Sequence, residues 1–186
     1  MADRNTIVKL RDLSCETRKN ILRLCHRGAT HVGGDLSMAD LMTVLYHYVM
    51  RYDPKNPKWD GRDRFILSKG HGAGCLYVTL AMAGYFSMDE LLENYRKLNS
   101  PFGEHPSKDV PGVEIATGSL GHGLSISIGM ALAARLDGKK HRVFVLMGDG
   151  ETQEGSVWEG AMAAANYRLG NLVALIDRNR LSLDGE

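Results

Sequence analysis

A chain of 186 residues holds one sizeable core, and a second complete domain of ordinary size is cramped in it. Its 23 Lys+Arg against 22 Asp+Glu give a net charge of +1 with no long block of either sign, which argues against a nucleic-acid partner. Hydrophobic residues at 44% fit a globular protein, while 21 glycines, about 11% of the chain against a usual ~7%, require a reason. Cys15, Cys25 and Cys75 have no C-x-x-C spacing, so neither a disulfide framework nor a zinc site is expected, and a reducing, cytoplasmic setting follows. No apolar run approaches the ~18 residues of a bilayer span, and the charged N-terminus does not read as a secretory leader, so no membrane partner is expected.

Helical patterns come first along the chain. Ile7, Leu10, Ile21 and Leu24 share a helix face, and Met38, Leu41, Leu45 and Val49 repeat the pattern after Ser37-Met-Ala-Asp40, which has the form of a capping box. Residues 51–62, with Pro54 and Pro57, read as a loop. The apolar run 64–67 ends in Ser68-Lys-Gly-His-Gly72 and leads into a helix-like stretch, a strand, glycine turn and helix in succession. Ser87-Met-Asp-Glu90 opens another helix. Residues 99–123 form a long loop marked by glycine and proline, of the length that usually carries function. An alanine-rich buried helix is expected over 124–136, and a continuous apolar strand over 142–147 ends in Gly148-Asp-Gly150. Ser156 caps a helix to about Tyr167, and a second buried strand over 171–176 ends in Asp177-Arg-Asn179. The fold class is therefore α/β, a mostly parallel sheet flanked by helices, with ligands expected outside the carboxyl ends of the strands.

Those strand ends do not carry the common nucleotide signatures. No G-x-G-x-x-G follows a strand, and Gly150 to Gly155 has P-loop glycine spacing but continues with Ser156 where lysine is required. Asp149 between two glycines would repel a pyrophosphate unless a cation intervened. Asp149 and Asn179 stand 30 positions apart, and a βαβ unit brings its two strand ends to one edge, where a carboxylate and an amide oxygen suit Mg²⁺ or Ca²⁺. Gly-Asp-Gly alone reads as a strand-ending turn; the second strand end at matching spacing favours a metal-bridged diphosphate site. Helix N–H groups after Gly155 would add anion stabilisation. His31, His71, His105 and His122 lie beside glycine or proline in expected loops and, clustered, would bind hydroxyls or phosphates or move protons. His26, His47 and His141 receive no function. Glutamates 151, 154 and 159 read as solvated residues of a first helical turn, and Trp158 as core or interface.

Gly148-Asp-Gly150, Asn179, Ser68-Lys-Gly-His-Gly72, residues 111–118 and Gln153-Glu-Gly155 together resemble the diphosphate-binding half of transketolase, a thiamine-diphosphate enzyme, over nearly the whole chain. The resemblance implies a diphosphate-binding domain over residues 1–186, incomplete at its C-terminus and without a second domain. It implies that Asp149, Asn179 and the main-chain carbonyl of Leu181 bind the cation, that Gly150 meets the diphosphate, and that Gly118 and Leu120 meet the aminopyrimidine. His31, His71 and His105 match histidines around the thiazolium and the donor sugar, and Glu154 and Glu159 match interface glutamates near the pyrimidine. The family moves a two-carbon ketol unit from a ketose phosphate to an aldose phosphate in pentose-phosphate metabolism. The expected partner is a C-terminal transketolase subunit bearing the pyrimidine-binding half, in a hetero-oligomer, and the chain alone is expected to be inactive. Alternatives are a half of a 1-deoxyxylulose-5-phosphate synthase-like enzyme and a non-catalytic cofactor-binding or regulatory module. His122 stands where glutamine is usual and Glu104 where glycine is common, which implies an altered sugar preference.

Overall fold

In the computed structural model, which describes residues 2–182 and Gly185, three parallel strands lie between two groups of helices. Helix α1 (Arg4–Arg27) starts where the Asp3 carboxylate accepts from the Thr6 amide at 2.7 Å, satisfying one of the helix's free donors. Its buried face is Ser14, Thr17, Asn20, Ile21 and Leu24. Ile7, expected on that face, is 45% exposed, because the first turns of α1 run past the helices it packs on.

A short helix that the sequence did not suggest, α2 (Val32–Ser37), precedes the helix expected after Ser37, which is α3 (Ala39–Val44) followed by a single π turn, Leu45–Val49. Ser37 does not cap it. Met38 forms the junction with φ −99° and ψ 2°, and the Ser37 hydroxyl instead donates to the Gly34 carbonyl and to Asp177, a tertiary partner that outcompetes the local cap. Strand β1 (Arg64–Leu67) leads through the Gly70–Gly72 turn into α4 (Ala73–Met82), which is buried on every side through Leu80. Helix α5 (Met88–Asn94) has the expected cap, Ser87 Oγ accepting from the Glu90 amide. Helix α6 (His122–Leu136) precedes β2 (Val143–Gly148), and α7 (Gly155–Asn166) connects β2 to β3 (Leu172–Asp177). The Ser156 hydroxyl does not cap α7, since it donates to the Gly121 carbonyl and so ties α7 to the segment before α6. Among the described residues no helix is long and apolar enough to cross a membrane.

The strand order is β1-β2-β3, all parallel, with Leu67 opposite Leu146 and Gly148 opposite Asp177. Period-two alternation divides the core. Phe65, Leu67, Phe144 and Leu146 pack with α1, α3 and α4, whereas Ile66, Val143, Val145 and Met147 pack with α6 and Val157 of α7. Strand β2 is buried throughout. Strand β3, expected to be buried, is not: Ala174 and Ile176 are exposed, because β3 is the sheet edge among the described residues.

Candidate functional site

All three strands end on one edge, so Ser68, Gly148 and Asp177 begin three adjacent turns. At the β2 and β3 ends, the Asp149 carboxylate accepts from the Gly150 amide at 3.0 Å and from the Arg180 amide at 2.7 Å. Asp149 thus lies against the loop that carries Asn179. The Asn179 side-chain oxygen accepts from the Leu181 amide at 2.9 Å. Among the described residues each of these three oxygens takes one such bond and keeps a second lone pair. Arg180, in this loop, sits at φ 64°, a left-handed conformation costly for a residue with a Cβ.

Beside β1, three of the four singled-out histidines come together. The ring centroids of His31 and His71 are 5.5 Å apart and those of His31 and His105 are 6.3 Å apart. His122 is exposed at the first position of α6 and makes no ring contact with them among the described residues. His31 ends the loop before α2, as the residue immediately preceding that helix. Burial, then the Lys69 ammonium and the two neighbouring imidazoles, hold the pKa of His71 down to about 4, so it is neutral at physiological pH. Glu104 reaches to 3.8 Å from His31 and 3.6 Å from Arg96, placing one carboxylate at the rim of the cluster.

The glycine surplus is explained here by close approach. A Cβ on Gly70 would stand 2.7 Å from the Thr117 carbonyl carbon, and one on Gly118 would stand 3.2 Å from the His105 ring. Residues 117–120 are thereby laid across the β1 turn, fastened by the Thr117 hydroxyl donating to the Leu67 carbonyl at 2.7 Å. Gly118 is exposed beside His105, and Leu120 is exposed two residues on. Glu154 is exposed with its stem against Gly121, and Glu159 is exposed on α7.

Two buried polar groups of this edge escape sequence reasoning. Lys69 is fully enclosed and donates to Asp177 at 2.6 Å and to the Gly34 carbonyl at 2.9 Å, joining β1, β3 and α2 beneath the histidines. Glu151, expected to be solvated, is 3% exposed. Its carboxylate accepts from the Ser68 hydroxyl, the Gly121 amide at 2.8 Å and the Gly148 amide at 3.1 Å. The only sequence signal for either was a charged residue directly after a strand-end glycine or serine.

The donor chemistry suits a hard cation: a carboxylate and an amide oxygen lie on one side, with a glycine-lined shelf and neutral imidazole on the other. A protein-only cage is not offered, since no group of three or more His, Cys, Asp or Glu converges as metal ligands among the described residues. Magnesium bound with phosphate oxygens needs no such cage.

Residues 18–186 match the family described as transketolase, thiamine diphosphate binding domain. The chain is 47% identical over 171 residues to an apulose-4-phosphate transketolase subunit of Phocaeicola vulgatus, covering 91% of this chain and 60% of that protein. It is 43% identical over 159 residues to the 6-deoxy-6-sulfo-D-fructose transketolase subunit SqwG of a Clostridium species, covering 85% and 58%. It thus spans about three fifths of the length of these relatives. The crystal structure of transketolase from Campylobacter jejuni superposes with a TM-score of 0.89 at 33% identity, over 95% of this chain and 29% of that one. With the strand-end geometry in place, the match over nearly its whole length means that the chain belongs to the transketolase N-terminal, thiamine-diphosphate-binding family.

Proposed function

We propose that residues 1–186 act as the diphosphate-binding unit of a two-component transketolase, which moves a two-carbon ketol unit between sugar phosphates once a C-terminal, pyrimidine-binding subunit is bound. The observation that carries this reading is the Asp149 carboxylate lying against the Asn179–Leu181 loop on the same edge as three clustered histidines. Support for the two-component form comes from relatives named as transketolase subunits.

In this reading Asp149, Asn179 and the Leu181 carbonyl hold Mg²⁺, or Ca²⁺ in its place, and the Gly150 amide meets the diphosphate. Gly118 and Leu120 present main-chain groups to the aminopyrimidine. Bound thiamine diphosphate supplies the electron sink for cleaving a carbon–carbon bond next to a ketone. His71, kept neutral with a pKa of about 4, accepts a hydrogen bond from a sugar hydroxyl without adding charge. His31 and His105 bind the remaining hydroxyls, with the Glu104 carboxylate at the rim biasing which sugar fits. Glu154 and Glu159, both exposed, face the partner subunit. The chain alone is inactive.

The test is calorimetric titration of thiamine diphosphate with Mg²⁺ into the complex with a C-terminal transketolase subunit, alongside a ketol-transfer assay on ketose phosphates. Asp149→Ala is expected to weaken Mg²⁺-dependent binding at least 100-fold while the circular dichroism of the fold persists. Unchanged binding overturns the metal assignment, and a wild-type complex that binds the cofactor without ketol transfer overturns the transketolase reading.

A further inference from the structure

Among the described residues, the Glu151 carboxylate is the one group that touches all three segments around the candidate cofactor site. Its Oε1 accepts from the Ser68 hydroxyl, at the end of β1, and from the Gly121 amide at 2.8 Å, at the head of α6. Its Oε2 accepts from the Gly148 amide at 3.1 Å, at the end of β2. The Ser68 oxygen in turn accepts from the Gly123 amide at 3.1 Å, so two of the free N–H groups at the start of α6 are satisfied by this pair and not by solvent.

These partners are not interchangeable backbone. Gly121 directly follows the 118–120 segment assigned to the aminopyrimidine, Gly148 directly precedes the Asp149–Gly150 pair assigned to the metal and diphosphate, and Ser68 opens the turn carrying His71. The head of α6 is also sterically committed. Gly121 has φ 81°, and a Cβ there would lie 2.6 Å from Ser156 Oγ and 2.7 Å from Glu154 Cβ; a Cβ on Gly123 would overlap Ser68. The loops therefore cannot slide past one another while the carboxylate is in place.

We propose that Glu151 is a positioning residue for thiamine diphosphate: its buried carboxylate sets the spacing between the aminopyrimidine shelf at 118–121 and the diphosphate turn at 148–150. This rests on the function proposed above and adds to it a residue that makes no contact with the cofactor. A charge buried at this edge contributes less to stability than a packed apolar side chain would, which favours a role in geometry.

Glu151→Gln keeps the volume but turns an N–H₂ toward one of the backbone N–H donors, whichever way the amide is oriented, so one tether is lost. In the complex with the C-terminal subunit, the calorimetric Kd for thiamine diphosphate at saturating Mg²⁺ is expected to rise tenfold or more with unchanged stoichiometry. Saturating cofactor is expected to restore kcat to within about twofold, since the loss is in the alignment of the empty site. A purely structural role instead lowers the stoichiometry at unchanged Kd, and that result overturns the proposal. Should Glu151→Gln fail to fold, Ser68→Ala removes the hydroxyl that links Glu151 to the Gly123 amide and is expected to raise Kd about threefold; an unchanged Kd there is equally fatal. If the wild-type complex binds no thiamine diphosphate, the function reading falls and this inference falls with it, whereas wild-type binding with a normal variant sinks the inference alone.

Discussion

Asp35, on α2, is enclosed on every side and receives one good hydrogen bond, from the Cys75 amide at 2.8 Å; its other oxygen lies beside Thr30 and Gly74 without a well-formed partner. Burial outweighs these contacts and pushes its pKa up to about 6. An ordinary carboxyl in the unfolded chain releases its proton near pH 4, so between about pH 4 and 6 the folded chain keeps a proton that the unfolded chain has lost. Stability from this group therefore falls as pH rises through that window and is level above it, by about 3 kcal/mol in all. Asp35→Asn is expected to gain roughly 2 kcal/mol at pH 7.5 and little at pH 4.5, read as the difference in melting temperature between variant and wild type at the two values. Parallel profiles would count against it. His71 acts in the opposite sense, because its depressed pKa means that stability present above about pH 6.5 is lost as pH falls toward 4.

At the level of elements, the amino ends of β1 and β2 are joined by Asp63. Its carboxylate is inaccessible to solvent and accepts from the Arg51 and Arg142 amides and from both guanidinium groups. Burial alone would raise its pKa, but the bonds from Arg142 and Arg51 prevail and bring it to about 2. This contribution is present above about pH 4 and is lost as the solution is acidified toward pH 2. Asp63→Ala is expected to cost about 3 kcal/mol in urea unfolding, the lower end for a broken buried pair because both arginine side chains retain water. A cost below about 1 kcal/mol would show that the strands need no such tie.

On the scale of the whole molecule, one flank is left apolar. Trp158 and Met162 on α7 are 63% and 67% exposed, and Ile176 on β3 is 53% exposed. An open groove of about 570 Å³ lined by Leu124, Ala161, Ala165, Leu172 and Ala174 lies along the same flank. Exposed apolar surface of this kind favours association. If the C-terminal subunit docks on α7, Met162→Lys should weaken the complex about tenfold by sedimentation, the worth of burying one such side chain, with the chain's own melting temperature unchanged. Equal affinity would place the partner elsewhere.

How much of this was legible in the sequence follows from the range of the interactions involved. Strands β1, β2 and β3 were readable because continuous apolar runs that end in turn residues are local patterns, and parallel order then dictates which ends share an edge. That logic reached Asp149 and Asn179, and the loop glycines flagged three histidines that do converge. It failed at Ser37 and Ser156, whose cap-like positions were overridden by partners far along the chain. It also failed at Glu151 and Lys69, whose burial depends on residues 83 and 108 positions away. The amino-acid order alone therefore determined which elements form and which chemical groups stand at their ends. Tertiary packing alone decided which charges are withdrawn from water, because desolvation is a property of everything that closes around a side chain and leaves no mark on its immediate neighbours in sequence.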